Sequence, residues 1–330
     1  MQKFKAYRIR EIEKKTAARF EDISLDELDP GEVVVRVACS SVNYKDALAA
    51  TGAGRIIRRF PCVGGIDLSG TVVESADSRF AKGDAIIATS YDLGVSHDGG
   101  YAEYARVPAD WVVPMPKGMS LADAMALGTA GYTAALGIIR MEQNGLKPAN
   151  GPVVVSGATG GVGSIAIDIL ARLGYEVTAL TGKASDSDYL KRLGAKDVVL
   201  RSSLDFAKTR PLDKTTWAGA VDNLGGDVLS WMLSTMKPAG TVAAIGLAAS
   251  MDLKATVAPF ILRGVSLLGI DSGYTPMDLR KEVWRRLGSD MRPPHLAQMT
   301  RTLPFDQLPG AFAAFIEGRA RGRLVVDMAA

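Results

Sequence analysis

Short runs of alternating apolar and polar residues dominate the first third of the chain. Between residues 1 and 115 these runs are separated by glycine, proline and aspartate, and the clearest cover residues 32–38, 69–74, 84–89 and 101–107. A period of two is typical of half-buried β-strands. The pattern therefore predicts a β-rich, barrel-like domain.

Helical spacing replaces this pattern at residues 121–139, and strand-like runs then alternate with helix-like or loop segments. The six strand-like runs begin near Val153, Glu176, Asp197, Gly219, Thr241 and Ser266. That alternation predicts a doubly wound parallel sheet. The tail is mixed, with helical patterns at 279–287 and 307–318 and a strand at 323–327. Because the tail is too short for a core of its own, we expect it to complete the N-terminal domain.

A glycine-rich segment, 157–163, joins the first of the six runs to a helical run. Strand, tight turn and helix form the context of a dinucleotide-binding fingerprint. Gly157 permits the turn, and Gly160 and Gly161 lack the Cβ that would keep a pyrophosphate from the backbone N–H groups. Gly163 lets the helix pack closely, with its positive end towards the phosphates. The alternative is a glycine-rich turn of another α/β protein, because the first glycine spacing is altered.

The residues after the next strand indicate which dinucleotide binds. NAD enzymes usually carry an acid about 20 residues past the glycines, where it binds the ribose hydroxyls. Here the chain has Thr181, Gly182 and Lys183, with no acid before Asp186, and Arg201 closes the neighbouring strand. A hydroxyl, a backbone N–H and two cations favour a 2′-phosphate, and hence NADP over NAD. The alternative is that both cations are simply solvated.

Composition narrows the class of protein. A length of 330 residues favours two domains, and a hydrophobic content of 47% is ample for their cores. No uninterrupted apolar run reaches the ~20 residues of a membrane span. The charged N-terminus is unlike a secretory signal, and two cysteines suit a reducing cytoplasm. A net charge of +3 without a long Lys/Arg run argues against a nucleic-acid partner.

Several motifs give the chain a family resemblance. They occupy residues 41–46, 64–72, 98–104, 127–134, 157–163, 189–195, 259–263, 269–272 and 322–326. Over essentially its whole length the chain resembles the zinc-independent medium-chain dehydrogenases/reductases, specifically the subfamily of acrylyl-CoA reductase (NADPH) and quinone oxidoreductase-like proteins. The resemblance implies a GroES-like catalytic domain (1–124 and 272–330) and an NADP-binding Rossmann domain (125–271). It also implies a homodimer, and the apolar edge run at 266–270 would need covering.

Zinc is not expected. The segment where zinc-dependent relatives carry Gly-His-Glu has Gly65, Ile66 and Asp67, and Cys39 is isolated. With only two cysteines and two histidines, four nitrogen or sulfur ligands cannot be assembled at a plausible spacing.

The implied reaction is NADPH-dependent reduction of the C=C bond of a small α,β-unsaturated acyl-CoA, best matched by acryloyl-CoA to propionyl-CoA. Charge on the thioester oxygen would then need hydrogen-bond donors. Tyr44 is the leading candidate, because a phenol keeps its proton at neutral pH and the resemblance places this residue beside the nicotinamide. Asn43 would position the carboxamide or the substrate. The alternative for Tyr44 is a half-buried aromatic at a helix start.

The resemblance assigns further cofactor contacts. Those at the pyrophosphate are Thr159, Gly160, Gly161 and Val162, and those at the 2′-phosphate are Thr181, Gly182, Lys183 and Arg201. Leu247, Ile261 and Ser272 would lie towards the nicotinamide end. For Leu247 and Ile261, simple core packing is an equal alternative. Arg323 is a cofactor candidate for which a structural ion pair is equally plausible.

Arg55, Arg58 and Arg59 follow the Tyr44 helix and could hold the phosphates of CoA, since guanidinium groups bind phosphate through paired hydrogen bonds. Solvated loop charges are the alternative. Two other functions stay open: NADPH:quinone oxidoreduction, which needs no CoA-binding patch, and an NADPH-binding sensor or structural protein with little turnover.

Overall fold

The computed structural model describes residues 3–329, which divide into two compact units. The first unit comprises the chain up to Thr129, Gly273–Gly288 and the chain from Leu296 onwards. The second comprises Ala130–Ser272 and Ser289–His295.

The first unit is built mainly from antiparallel strands. A three-stranded sheet has the order β2-β1-β4, and a seven-stranded sheet has the order β15-β16-β3-β5-β6-β8, with β7 also paired to β3. The strands are β1 (Phe4–Ile12), β2 (Lys15–Ile23), β3 (Val33–Ser41), β4 (Cys62–Val63), β5 (Asp67–Ser75), β6 (Ala85–Thr89), β7 (Tyr104–Val107), β8 (Val112–Pro114), β15 (Thr300–Pro304) and β16 (Arg323–Asp327). The predicted β-rich domain is confirmed, and its tail strand β16 pairs with β3.

Four helices lie wholly within the first unit: α1 (Tyr44–Thr51), α7 (Met277–Leu287), α8 (Leu296–Met299) and α9 (Leu308–Ile316). Its core combines apolar side chains of the strands with aromatic residues of the tail. Phe312 of α9 packs against Tyr7 of β1, with ring centroids 5.9 Å apart. The tail residues therefore contribute to the core of the N-terminal strands.

The second unit contains a six-stranded, wholly parallel sheet in the order β11-β10-β9-β12-β13-β14. Its strands are β9 (Val153–Val155), β10 (Val177–Thr181), β11 (Asp197–Leu200), β12 (Trp217–Asp222), β13 (Met236–Ala244) and β14 (Ser266–Gly269). The helices between them are α3 (Gly161–Arg172), α4 (Ser187–Arg192), α5 (Gly226–Thr235) and α6 (Ala258–Arg263). The predicted doubly wound sheet is confirmed, strand by strand.

Helix α2 (Leu121–Gln143) is longer than the sequence pattern predicts and has a kink at Gly128, with φ of 50° and ψ of −155°. Among residues 3–329 it is the one helix long and apolar enough to cross a membrane, but 83% of that stretch is buried inside the protein. Such burial is typical of a core helix.

Candidate functional site

The glycine-rich turn lies at the carboxyl end of β9, near the middle of the second unit's sheet. A Cβ at Gly163 would lie 2.4 Å from the carbonyl oxygen of Gly157, so only glycine lets α3 begin this close to the turn. Gly160 is the N-cap residue of α3. The predicted pyrophosphate contacts all lie in the turn or at the start of α3: Thr159, Gly160, Gly161 and Val162.

The predicted 2′-phosphate residues lie at the ends of two adjacent strands. Because β10 and β11 are parallel neighbours, Arg201 is brought alongside Gly182: a Cβ at Gly182 would lie 3.7 Å from Arg201 Nη2. The backbone N–H of Lys183 donates to the Thr181 hydroxyl oxygen, 3.0 Å away. The first acid, Asp186, is buried at the start of α4. An accessible guanidinium beside a hydroxyl and a glycine fits a 2′-phosphate.

Leu247 and Ile261 are 62% and 73% exposed. The alternative that they pack in the core is therefore wrong. Leu247 follows β13, Ile261 belongs to α6, and Ser272 is partly exposed at the end of the stretch that precedes the tail. Contact of these three residues with the nicotinamide end stays a prediction.

Tyr44 is the first residue of α1, and Asn43 is its N-cap residue. The Asn43 backbone N–H donates to Asp46 Oδ2, 2.8 Å away. Asp46, the third residue of α1, therefore caps the N-terminus of the helix. The Tyr44 side chain is 48% exposed. The backbone of Tyr44 is thus anchored while its phenol stays accessible to a ligand.

The Asn43 side chain is engaged inside the first unit. Its Nδ2 donates to Asp67 Oδ2 at 2.8 Å, and its Oδ1 accepts from Arg323 Nη1 at 3.2 Å. Both ends of the amide are therefore occupied by buried partners, which makes Asn43 a support for the Tyr44 helix. Contact of Asn43 with substrate stays a prediction.

Asp67 is the centre of this buried network. Its carboxylate accepts hydrogen bonds from the Ser41 hydroxyl at 2.6 Å and from the Thr129 backbone N–H at 2.9 Å, besides the Asn43 amide. The Ser90 hydroxyl lies 3.0 Å from Thr129 Oγ1 and extends the network. Sequence reasoning treated Asp67 only as a residue that replaces a metal-binding motif and missed its structural role.

Arg323 supplies the positive charge of the network. It is 2% exposed, and its Nε donates to the carbonyl oxygen of Ala126 at 2.7 Å. Burial lowers the pKa of the guanidinium, while the carboxylates of Asp67 and Asp46 oppose that shift. This placement favours the structural alternative for Arg323, and its contact with a cofactor stays a prediction.

Asp46 is the second buried carboxyl group. Besides capping α1, its Oδ1 accepts from the Ile66 backbone N–H at 2.9 Å. Burial, followed by the nearby Asp67 carboxylate, raises the pKa of Asp46 to about 7. The side chain therefore binds a proton in the folded protein at pH values where it is ionised in the unfolded chain.

This proton should make stability depend on pH. A carboxyl group whose folded-state pKa is raised from about 4 to about 7 stabilises the protein most at low pH, and this contribution is lost as pH rises through 7. Between pH 5 and pH 8 we expect wild type to lose about 2–3 kcal/mol of unfolding free energy relative to Asp46→Asn. Urea denaturation at both pH values measures the difference, with exposed Asp26→Asn as the control. Parallel pH profiles for wild type and Asp46→Asn would contradict the expectation.

The three arginines after α1 have different surroundings. Arg59 forms ion pairs with Asp29 and, at 3.6 Å, with Asp98, and its Nε donates to a backbone carbonyl oxygen at 3.2 Å. Arg55 and Arg58 are exposed. Arg59 therefore has two carboxylates competing for any phosphate, and the candidate patch is reduced chiefly to Arg55 and Arg58.

Among the described residues, no group of three His, Cys, Asp or Glu side chains is arranged to hold a metal ion. Cys39 and Cys62 are free and buried. Burial raises the pKa of the Cys39 thiol to about 11 and raises that of Cys62 further, so both thiols are protonated at neutral pH.

Known proteins resemble the chain along nearly its full length. Residues 29–117 match the family described as alcohol dehydrogenase GroES-like domain, and residues 161–289 match the family described as zinc-binding dehydrogenase. YhfP of Bacillus subtilis, whose name marks it as a candidate quinone oxidoreductase, is 50% identical over 93% of each chain. Acrylyl-CoA reductase AcuI of Ruegeria pomeroyi is 47% identical over 95% of each chain.

Two crystal structures extend the comparison to the fold. The yhdH oxidoreductase of Salmonella enterica, in complex with NADP, has a TM-score of 0.95 and 44% identity, with 98% of this chain and 99% of that chain covered. YhfP with NAD bound has a TM-score of 0.97 and 47% identity, with 99% and 100% covered. The residues at β10 and β11 agree with the first of these in favouring NADP(H).

Sequence, fold and dinucleotide-binding residues thus agree: the chain belongs to the medium-chain dehydrogenase/reductase family, in the subfamily of acrylyl-CoA reductases and quinone oxidoreductase-like proteins.

Proposed function

We propose that this protein uses NADPH to reduce the C=C bond of a small α,β-unsaturated acyl-CoA, with acryloyl-CoA to propionyl-CoA as the specific reaction. The observation that carries the proposal is the accessible phenol of Tyr44 on a firmly capped helix, in a chain 47% identical to an acrylyl-CoA reductase. A phenol can donate a hydrogen bond to the thioester oxygen, where negative charge collects during reduction of an enoyl thioester.

The chain's residues have separate tasks in this reaction. When bound, NADPH supplies a hydride for the β-carbon of the substrate. Thr159, Gly161 and Arg201 would bind its phosphates. Tyr44 would donate a hydrogen bond to the thioester oxygen, where negative charge collects as the enolate forms. A proton then reaches the α-carbon, and the product is the saturated thioester.

The buried network beneath Tyr44 supports this role. Asp46 fixes the start of α1, and Asn43 links that start to Asp67 and Arg323. Because these partners are inside the first unit, the helix start cannot shift without breaking several buried hydrogen bonds. We infer that the network holds the Tyr44 backbone in one position, which lowers the cost of orienting the phenol towards its substrate.

Quinone reduction is the second candidate, since YhfP carries that name at 50% identity. Assays of NADPH oxidation with acryloyl-CoA, crotonyl-CoA and a benzoquinone distinguish the two functions. A kcat/KM for acryloyl-CoA at least 100-fold above that for the quinone, about 2.7 kcal/mol of discrimination, would support the proposal. A preference for the quinone would favour quinone reduction instead of the proposed reaction. Absence of turnover with all three substrates would favour an NADPH-binding protein without this activity.

The arginine patch gives a second test of the same proposal. We expect Arg55→Ala/Arg58→Ala to raise KM for acryloyl-CoA about tenfold, because guanidinium–phosphate hydrogen bonds are among the stronger ones. The KM for a benzoquinone, which has no phosphate, should not change. Arg36→Ala, at an exposed arginine of β3, is the control. Equal increases for both substrates would reject the patch as a CoA site.

We also propose a cytoplasmic homodimer. The free cysteines suit a reducing compartment, and β14 is an edge strand of the six-stranded sheet that could pair with its copy across a two-fold axis. Analytical ultracentrifugation tests the dimer: a monomer at micromolar concentration would reject it.

A further inference from the structure

Asn223 lies where the chain changes direction in the second unit's sheet. β9 pairs with β10 on one side and with β12 on the other, and β12 ends at Asp222. The carboxyl ends of β9 and β12 therefore form the switch point, the place where ligands bind in open α/β sheets. Asn223 is the first residue after β12 at this point.

Hydrogen bonds hold the Asn223 amide in one orientation. Its Nδ2 donates to the carbonyl oxygen of Ser156 at 2.7 Å, and its backbone N–H donates to Ser156 Oγ at 2.9 Å. The Ser156 hydroxyl in turn donates to Asp222 Oδ1 at 2.7 Å. Because only the NH₂ group can donate to a carbonyl, these contacts determine which side of the amide carries Oδ1.

Oδ1 of Asn223 is a buried hydrogen-bond acceptor that has no partner within the described residues. Among residues 3–329, no hydrogen-bond donor lies within reach of it. Buried polar atoms in native proteins nearly always have a partner, and an unpaired one invites a functional explanation. The neighbouring acceptor, Asp222, differs in this respect, because its carboxylate binds the backbone N–H groups of Leu224 and Gly225 at 3.2 and 2.8 Å.

The Asn223 amide borders the dinucleotide-binding turn. A Cβ at Gly157 would lie 3.1 Å from Asn223 Cβ and 3.9 Å from its Cγ. Gly157 also has a φ of +57°, which favours glycine. A ligand on this turn therefore lies beside Asn223.

The chemistry of NADP(H) limits what can donate to Oδ1. Its phosphates only accept hydrogen bonds at neutral pH, so the donor must be a ribose hydroxyl, the adenine amino group or the nicotinamide carboxamide. The 2′-phosphate of the adenosine half is assigned to Gly182 and Arg201, at β10 and β11. Asn223 follows β12, on the opposite side of β9. The group that lies beyond the pyrophosphate on that side is the nicotinamide ribose.

We propose that Asn223 Oδ1 accepts a hydrogen bond from a hydroxyl of the nicotinamide ribose, which makes Asn223 a cofactor-positioning residue. The proposal depends on NADP(H) binding and not on the identity of the second substrate. In this proposal the hydrogen bond to Asn223 orients the ribose, and the orientation of the ribose determines the direction of the attached nicotinamide ring.

Calorimetric binding of NADPH tests the proposal without turnover. We expect wild type to bind analogues that lack the 2′ or the 3′ hydroxyl of the nicotinamide ribose, and to lose about 3–10-fold in Kd for the one that lacks the partner of Asn223. The Asn223→Ala variant should bind NADPH more weakly than wild type by a similar factor. It should bind that analogue only slightly more weakly than it binds NADPH. Such non-additivity identifies a direct contact.

Two control variants separate this role from others. Asn144→Ala, at an exposed asparagine, should bind NADPH like wild type. Arg201→Ala should weaken the binding of NADPH far more than the binding of NADH. Asn223→Ala should weaken the binding of both cofactors equally, since both contain the nicotinamide ribose. If Asn223→Ala weakens the binding of NADPH and of both analogues by the same factor, its effect is independent of the ribose hydroxyls. Asn223 would then have a purely structural role, and the proposal would be overturned.

The wild-type measurements stand even if Asn223→Ala does not fold. Undiminished affinity of wild type for both analogues would overturn the contact by itself. Failure of wild type to bind NADPH at all would instead reject the cofactor assignment, and the two failures are therefore distinguishable.

Discussion

Replacing Arg323 with methionine is expected to lower the free energy of unfolding by about 3–5 kcal/mol, the usual cost of removing a buried charge and leaving its partners unpaired. Arg323 is 2% exposed and is the guanidinium that faces the carboxyl groups of Asp46 and Asp67. Without it, those carboxyl groups would share a buried space with no opposing charge. Methionine fills much of the same volume, so the effect reports the lost charge and its hydrogen bonds to Ala126 and Asn43 rather than a cavity.

Urea denaturation of the two proteins at one pH measures this loss. Arg301→Met, at an exposed arginine of the neighbouring strand β15, is the matched control and should change stability little. Adding Asp67→Asn to Arg323→Met should restore part of the loss, because it removes a buried negative charge. A loss below about 1 kcal/mol for Arg323→Met would contradict the expected contribution of this buried charge and its hydrogen bonds.

The fold could be predicted from the sequence because its signals are local. The six strands of the second unit appear as short β-branched runs, and the glycine turn sits between the first of them and a helical pattern. The proximity of Arg201 to Gly182 then follows from parallel pairing alone, since neighbouring parallel strands end at the same edge of the sheet. Backbone chemistry and hydrophobic periodicity are sufficient for these features.

The buried network could not be predicted in the same way, because its members are distant in sequence. Four members of the network lie at the N-cap of α1, in β5, in α2 and in β16, and each looks like an ordinary polar residue in its own segment: Asn43, Asp67, Thr129 and Arg323. Which polar residues are buried together depends on packing between elements. A pattern along one element carries no such information.

The kink of α2 has the same origin. The helical spacing at 121–139 does not indicate a bend, but a Cβ at Gly128 would lie 2.6 Å from Asp67 Oδ2 and 2.8 Å from Arg323 Nη2. The backbone bends where these two buried groups approach it. A glycine inside a helical pattern thus marked a close contact that only the tertiary structure identifies.

Replacing Tyr44 with phenylalanine is expected to lower kcat for acryloyl-CoA by about 10²–10³-fold, the usual contribution of a hydrogen-bond donor aimed at a developing oxyanion. The change removes one oxygen from a side chain that is 48% exposed, so the folded structure should be preserved. Steady-state kinetics and calorimetric binding of NADPH measure the two effects separately. The Kd of NADPH should not change.

The matched control is Tyr104→Phe, at a partly buried tyrosine of β7, which should retain wild-type kcat. A benzoquinone provides the second comparison: its reduction also places negative charge on a carbonyl oxygen, so it tests whether the Tyr44 hydrogen bond serves the thioester alone. If kcat for acryloyl-CoA falls less than threefold, the phenol is not the donor. The accessible position of Tyr44 would then serve substrate packing alone, and another group would have to stabilise the charge on the thioester oxygen. A large loss shared by acryloyl-CoA and the quinone would instead indicate that Tyr44 acts on hydride transfer to both, and would leave the source of the α-carbon proton to be found.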